Sequence, residues 1–519
     1  MLPTSRLGLI GLSLLASAEA AKYGYNHVTV RQDSDAIAAN FQAIEGVDLL
    51  SPAFLSPETI PTGFAEGTQG PTADDVLDTF VQDLADKNSW LTYNKANFTS
   101  EEGRPFPYLH LTSGSAKSRG ASNSTGKVRV WLQGAVHGNE PAGDQSMLAL
   151  LGALDANQTW TASLLEKLDI VILPRYNPDG VFYFQRTLAT NYDPNRDHVK
   201  LARKQTRDIN TAPPPAYHAA DGLFSAAKNL NIHPDIRSLS EELFAKNIGS
   251  AMESRGLRWE PYVTGSTSTN PEFKPTFAEA GSDAKIGRNA MGLTQCVTFL
   301  IEMRGIYLAD QEFQRRTVAG LTMASSVLQT AADNADKVYT TIESSIADFK
   351  TTDAEIIVTD SSPTVQRTFT MVNINNGSVV QVPINFGSTT PVTANITRAR
   401  PEAYLIPASW ADLAERLRVG GLEVENLSGP YKGTVEAYTI TSAEFETGYY
   451  EGVVRATVTT EPLTREVNLP AGSFLVSTKQ KNAALAFVAL EPENIDSYAS
   501  FNIVPVEEGD EYPIYRVLA

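Results

Sequence analysis

Nearly continuous runs of apolar residues mark the first two-thirds of the chain. They cover residues 128–132, 170–173 and 296–301. Between the first two runs, apolar side chains recur at helical spacing at Met147, Leu148, Leu150, Leu151 and Leu154. Apolar strands that alternate with helices indicate a sheet buried on both faces. We therefore predict an α/β fold with a mixed sheet covered by helices, closed by a helical stretch over residues 311–349.

The pattern changes after residue 349. Short strand-like runs at 355–358, 368–372 and 455–458 are separated by Gly, Pro, Asn and Ser. One helix is predicted from Ser409, and Gly420 and Gly421 would end it. We predict a smaller, mostly β accessory domain over residues 351–519, behind a main domain over residues 72–349 and a lead-in over residues 21–71.

The N-terminus has the features of a targeting segment. Arg6 precedes an apolar run over residues 7–15, and Ala18-Glu19-Ala20 places small residues where a signal peptidase cleaves. The sequence therefore predicts a signal peptide over Met1–Ala20 and secretion from the cell. No later stretch has the length of apolar sequence that a membrane span requires.

Composition narrows the possible partners. The net charge of -18 argues against nucleic acid or an anionic membrane surface as a partner. The chain has one cysteine, Cys296, so no internal disulfide can form. We expect this thiol to be buried and inert, because it opens an apolar run.

The first chemical motif follows the strand predicted at 128–132. His137 and Glu140 lie three residues apart, on a turn between that strand and a predicted helix. An imidazole and a carboxylate on one tight turn can converge on a single cation, and this pair suits Zn²⁺. Gly138 and Gly143 would permit the sharp backbone. A solvated loop is the alternative explanation for this motif taken alone.

Two further clusters contain arginine and carboxylate side chains. After Asn177-Pro178-Asp179-Gly180, which alone is a turn sequence, come Arg186 and the pair Asn195-Arg196. An arginine fork binds a carboxylate through two hydrogen bonds, and an asparagine amide adds another. The third cluster, Glu302-Met303-Arg304-Gly305, follows an apolar strand, where α/β proteins place their sites. The alternative for Glu302 is a structural ion pair with Arg304.

Taken together, the order and spacing of these motifs over residues 71–349 resemble the zinc carboxypeptidase family typified by carboxypeptidase A. The resemblance implies a carboxypeptidase-like fold and a single zinc ion held by His137 and Glu140. It also implies that Arg186 polarises the scissile carbonyl, that Asn195 and Arg196 hold the terminal carboxylate of a peptide substrate, and that Glu302 is the general base. In the family mechanism, zinc activates a water, Glu302 takes its proton and Arg186 stabilises the oxyanion.

The family pattern also needs a third protein ligand, a histidine at a strand end before the catalytic glutamate. His198 is too close to the Asn195-Arg196 pair, and we expect it to orient that pair. His218 follows a proline-rich stretch, and His233 has no convincing strand before it. We hypothesise that a helix-and-strand segment bearing this ligand has been lost between Ile209 and Tyr217. Two ligands would hold zinc weakly.

Two other features of the family, a mobile tyrosine and a specificity pocket, correspond to candidate residues rather than to a motif. Tyr262 and Tyr307 are candidates for a mobile tyrosine near the substrate, and residues 281–293 are expected to contribute to the specificity pocket. Three functions remain open from the sequence. The protein is a secreted metallocarboxypeptidase, an inactive relative that binds peptide C-termini through Asn195 and Arg196, or a zinc amidohydrolase of N-acyl amino acids.

Overall fold

The structure is a computed structural model that describes residues 22–113, 126–208, 219–266 and 276–519. The predicted signal peptide over residues 1–20 lies outside the described residues, as do His218 and the predicted segment junction at 209–217. Within the described ranges, no helix combines the length and apolar character that crossing a bilayer requires.

The elements alternate between strands and helices up to residue 351 and are mostly strands afterwards. The helices are α1 (Asp35–Ala38), α2 (Pro52–Leu55), α3 (Asp74–Lys87), α4 (Ala142–Ala156), α5 (Gln158–Lys167), α6 (Pro178–Phe182), α7 (Lys204–Asp208), α8 (Pro234–Leu239), α9 (Lys246–Ser254), α10 (Gly287–Gly292), α11 (Phe313–Asp333), α12 (Ala335–Thr351), α13 (Ala411–Val419) and α14 (Ala483–Leu490). A π-helical turn, Ser240–Ala245, joins α8 to α9.

The strands are β1 (Leu91–Thr99), β2 (Pro105–Leu111), β3 (Val128–Gln133), β4 (Leu168–Leu173), β5 (Gly222–Ala226), β6 (Trp259–Pro261), β7 (Val263–Ser266), β8 (Thr276–Glu279), β9 (Phe299–Met303), β10 (Ile356–Ser361), β11 (Thr364–Val372), β12 (Val379–Gly387), β13 (Thr393–Arg398), β14 (Ala403–Ile406), β15 (Glu425–Asn426), β16 (Tyr431–Phe445), β17 (Ala456–Leu469), β18 (Phe474–Ser477) and β19 (Tyr515–Val517).

Two sheets position the candidate site. The first has the order β1-β2-β4-β3, and β3 runs parallel to β4 in a register that pairs Val128 with Leu168. The second has the order β6-β5-β9, in which β9 is antiparallel to β5 and pairs Glu302 with Leu223. Helices α4, α9 and α11 pack their apolar faces into one core with both sheets. The predicted α/β fold with a mixed sheet and covering helices is confirmed.

The C-terminal part is mostly β, as the sequence predicts. Its largest sheet has the order β15-β18-β14-β19-β16-β17. The fully buried helix α14 and the apolar face of α13 belong to the same core. The core of this part also includes Ile232, Ile236 and Leu293 from the first part of the chain. Strand β12 moreover pairs in parallel with β8. The two parts therefore share a continuous apolar core, and the boundary at residues 349–351 stays a prediction.

Local differences from the sequence predictions have physical causes. The helix predicted over 311–349 is two helices, because Asn334 interrupts it between α11 and α12. The strand predicted over 296–301 is β9 (Phe299–Met303), because Cys296 lies in a turn in which its Sγ donates to the carbonyl of Met291. Glu302 consequently lies inside the strand rather than beyond its end.

Candidate active site

The turns that follow β3 and β4 form the base of the site. The amide of Tyr176 donates to the carbonyl of Gly134 and that of Asn177 to Ala135, so the two turns are hydrogen-bonded side by side. Gly138 packs directly on Gly180, since a Cβ at Gly138 would lie 1.8 Å from the Gly180 carbonyl carbon. Only glycine permits this approach, which brings the two sequence motifs into contact.

His137 and Glu140 lie side by side on the turn after β3. The Nδ1 atom of His137 lies 2.9 Å from Oε1 of Glu140, and the imidazole is fully buried. The Nε2 atom of His137 lies 3.1 Å from Oδ1 of Asp193, so the aspartate fixes the ring from the opposite side. Within the described residues, His137 Nδ1 has no well-aligned hydrogen-bond partner. It is therefore a buried donor atom directed at the Glu140 carboxylate.

Arg186 links the two carboxylates that flank His137. Its Nη1 lies 3.1 Å from Oε1 of Glu140, and its Nη2 lies 2.9 Å from Oδ2 of Asp193. Although burial opposes a charge on Asp193, the neighbouring His137 and Arg186 hold the pKa of its carboxyl well below its usual range. No role for Asp193 is predicted from the sequence. Its position before Pro194-Asn195-Arg196 was the only available signal.

Asn195 and Arg196 lie on the short helical turn Pro194–Arg196. The Oδ1 atom of Asn195 accepts from the amide of Gly287 at 3.1 Å, whereas its buried Nδ2 has no hydrogen-bond partner within the described residues. Arg196 donates through Nη1 to the carbonyl of Asn195 at 2.9 Å. Asn195 therefore offers an unused donor beside a guanidinium, which is the arrangement that binds a carboxylate.

Glu302 faces the same group of charges from β9. Burial and the charge of Glu140 raise the pKa of the Glu302 carboxyl well above its usual range, and Arg186 and Arg196 partly offset that rise. Glu302 and Glu140 line the same cavity, and Arg186 is ion-paired with Glu140. The structure thus brings together the six residues singled out from the sequence, namely His137, Glu140, Arg186, Asn195, Arg196 and Glu302.

Within the described residues, the third metal ligand expected from the family resemblance is not found. His233 is at the start of α8, where its Nε2 lies 3.1 Å from Asp348 of α12, so it is committed elsewhere. His198 is buried next to Asp197, and His218 lies outside the described residues. Across the described ranges, no group of three or more His, Cys, Asp or Glu side chains is arranged to hold a metal ion.

Arg288 and Tyr262 add to the wall of the site. Burial lowers the pKa of Arg288 to about 10, and the charge of Arg196 contributes to the decrease. Tyr262 is buried, and both burial and Glu302 raise its pKa. Tyr307 instead stacks against Arg31. Of the two tyrosine candidates, Tyr262 is the one beside Glu302. Arg288 lies within the stretch 281–293 that was expected to contribute to the pocket.

A hairpin loop of the C-terminal part reaches the rim of the site. Glu451, between β16 and β17, accepts through Oε2 from the amide of Asp193 at 3.0 Å. Gly452 packs on Tyr192, leaving no room for a side chain. Burial raises the pKa of the neighbouring Tyr450 to about 12, against the opposing charges of Lys285 and Arg196. Sequence reasoning missed this contact because it joins segments more than 250 residues apart.

We expect Glu451→Ala to destabilise the fold, because the buried amide of Asp193 would lose a charged acceptor. The expected decrease in the free energy of unfolding is about 1–3 kcal/mol, measured by urea denaturation. The matched control is Glu444→Ala, since Glu444 is exposed on the same hairpin and its removal should leave stability unchanged. Equal stabilities for the two variants would contradict the docking role of Glu451.

Comparison with known proteins adds independent observations. The family model described as zinc carboxypeptidase matches residues 77–223. Carboxypeptidase 2 of Trichophyton equinum is 56% identical, over 98% of this chain and 99% of the relative. Carboxypeptidase 2 of Trichophyton rubrum is 55% identical over the same shares. Among solved structures, thrombin activatable fibrinolysis inhibitor matches 56% of this chain and 79% of that chain, with 15% identity and a TM-score of 0.38.

The alignment with the Trichophyton equinum relative has more positions than the number of residues that this chain contributes to it. It spans 535 residues, whereas 98% of 519 residues is about 509, so about 26 positions of the relative have no counterpart here. The alignments with the other four relatives give the same difference. Identity across nearly the whole length is nevertheless high in every case. This chain belongs to the zinc carboxypeptidase family.

Proposed function

We propose that this protein is a secreted metallocarboxypeptidase that depends on one zinc ion and hydrolyses the C-terminal peptide bond of peptides. The observation that carries the proposal is the position of Glu302. It is a buried carboxylate with a raised pKa, next to the His137–Glu140 pair and facing two arginines. Secretion rests on the sequence of residues 1–20.

Glu302 is proposed as the general base. A carboxylate whose pKa is shifted toward neutrality accepts a proton from water and can return it to the leaving amine. Because Arg186 and Arg196 oppose the effects of burial and Glu140, the charge state of Glu302 responds to the loss or gain of a nearby charge. Such a response suits a group that gains and then loses a proton during each turnover.

The arginines are proposed to bind two oxygen-bearing groups of the substrate, the scissile carbonyl and the terminal carboxylate. Arg196 and the unused Nδ2 of Asn195 are suited to hold the terminal carboxylate. Arg186 is held by Asp193 and Glu140, so its guanidinium is fixed before substrate arrives. A preorganised donor of this kind stabilises an oxyanion without reorganisation during the reaction.

The metal ligand set fits zinc in part. His137 Nδ1 and the Glu140 carboxylate are a suitable pair of donors, and Asp193 orients the imidazole in the way that carboxylates orient metal-binding histidines. Zinc in such sites supplies a Lewis acid, and catalytic sites hold it through three protein ligands. The described residues supply two. Zinc held by this chain alone is therefore expected to exchange readily.

The incomplete ligand set favours one second candidate function. A family member that cannot retain zinc would still bind free peptide C-termini through Asn195 and Arg196. This alternative leaves Glu302 without a catalytic role, whereas the carboxypeptidase proposal requires it.

Hydrolysis of a blocked dipeptide by the full chain in excess zinc separates the two candidates. The carboxypeptidase proposal predicts release of the C-terminal amino acid and none from a C-terminally amidated peptide. Binding of the free-acid dipeptide with no hydrolysis, measured by calorimetry and product analysis on the same sample, would instead support the binding function.

A further inference from the structure

Two sheet edges face each other across the centre of the molecule. β3 is the last strand of the first sheet, and β9 is the last strand of the second. Each strand has a hydrogen-bonded neighbour on one side only, among the residues that the structure describes. A cavity of about 350 Å³ lies between them and is lined by every residue of β3 and of β9. We call this space the interstrand gap.

The sequences of the two strands are those of interior strands. The residues of β3 are nearly as apolar as those of β4, yet β4 is mostly buried whereas in β3 only Val128 is buried. Trp131, in the middle of β3, is 49% exposed. Apolar strands in α/β sheets normally have neighbours on both sides and helices on both faces. Open apolar edges are otherwise sites of unwanted pairing.

The rest of the gap is shaped for a strand. Its wall away from the sheet edges comes from the apolar residues of α4, α11 and α12, including Met147, Val327 and Ile342. A strand seated there would pair with both edges and place alternate side chains on these helices. Glu140 and Glu302 also line the gap, so a strand seated there would reach the candidate active site.

The chain crosses between the two sheets where such a strand would belong. β1 to β4 are in the first sheet, and β5, β6 and β9 are in the second, so the crossing lies between Leu173 and Gly222. The relatives have about 26 positions without a counterpart in this chain. That length is enough for one average helix and one strand with their connections.

We propose that the interstrand gap is the seat of one β-strand that this chain lacks, carried in its relatives by a segment inserted between Asp208 and Ala219. The missing strand would join the two sheets into one and bring its final residue to His137 and Glu140. In its consequence for the metal site, the inference rests on the proposed function. The presence of a strand in the gap does not depend on that function, because it follows from the two open sheet edges and the alignment lengths.

The test compares three chains. Each keeps every residue of the parent, and two of them carry an insertion. The first is the chain as it exists. The second carries the unmatched segment of the Trichophyton equinum relative between Asp208 and Ala219. The third carries a Gly/Ser insertion of equal length at the same place. Amide hydrogen exchange of β3 and β9, followed by mass spectrometry, is the main measurement, with the thermal unfolding midpoint and retained zinc as further readouts.

We expect the relative's segment, and not the Gly/Ser insertion, to slow exchange in both strands at least about tenfold and to raise the unfolding midpoint. Equal exchange in the three chains would overturn the proposal. If the strands become protected but the chain neither retains zinc nor hydrolyses peptides, the gap assignment stands and the proposed function fails. If the chain hydrolyses peptides but β3 and β9 are not protected from exchange, the proposed function stands and the gap assignment fails.

The chain as it exists provides a second measurement that does not depend on the folding of an insertion variant. β4 pairs with strands on both sides, so its amides should exchange more slowly than those of β3 and β9. If β3 and β9 exchange as slowly as β4, another part of the chain already fills the gap, and the proposal is wrong.

Discussion

With zinc in excess, Glu302→Gln is expected to lower kcat for a blocked dipeptide by about 10²- to 10⁴-fold. The amide keeps the shape of the side chain but cannot accept a proton, so KM should change little. The fold should be preserved, because burial already raises the pKa of the Glu302 carboxyl and so disfavours its charged form. The uncharged amide of glutamine fits such a position. Steady-state kinetics on the purified full chain measure both constants.

The matched control for Glu302 is Glu260→Gln. Glu260 is in β6 of the same sheet, burial raises the pKa of its carboxyl, and it pairs with Arg367 rather than with the site. This variant should retain the parent kcat. A parent-like rate for Glu302→Gln would remove Glu302 from the chemistry and leave the base unidentified.

Arg196→Ala is expected to weaken binding of a free-acid peptide roughly 10- to 100-fold. The reason is the loss of a charged, directional hydrogen bond to the terminal carboxylate, beside the remaining donor of Asn195. Binding of a C-terminally amidated peptide should be weak in the parent and nearly unchanged in the variant. Calorimetric titration measures both affinities without requiring turnover.

The control for Arg196 is Arg203→Ala, a nearby arginine whose guanidinium pairs with Glu101. It should bind both peptides as the parent does. If Arg196→Ala keeps the parent's preference for the free acid over the amide, the carboxylate-binding role of Arg196 is wrong.

The side chains that the structure groups could be singled out from the sequence because their motifs are local. His137 and Glu140 follow a strand on a turn whose glycines permit a close backbone approach, and that turn could be recognised from neighbouring residues alone. The Asn195-Arg196 pair and the strand bearing Glu302 were likewise short, contiguous patterns. The turns after β3 and β4 share one sheet edge, whereas Glu302 reaches the site from inside β9 of the second sheet.

Long-range contacts were beyond that reasoning. The role of Asp193 depends on the simultaneous positions of His137 and Arg186, and Glu451 reaches the site from the C-terminal part. The shared core across the predicted boundary depends on burial that a strand pattern does not reveal. The break at Asn334 also escaped prediction, since apolar spacing continues on both sides of it.

The interstrand gap shows how a local sequence signal and a long-range consequence are connected. The proline-rich stretch around residues 211–215 led to the hypothesis that an expected strand is absent. The cost of that absence is visible only in three dimensions, as two apolar strand edges with a cavity between them. The identity of 55–56% to the Trichophyton relatives, over 98% of this chain, is consistent with a fold that otherwise keeps the surroundings of the missing strand.

The most direct test of the central claim is a zinc titration of the purified full chain alongside His137→Ala, with bound metal measured by elemental analysis at each zinc concentration. We expect the parent to bind zinc weakly and to approach one ion per chain only in excess zinc. We expect His137→Ala to abolish this binding. Identical zinc binding by the two proteins would show that His137 and Glu140 do not form the metal site.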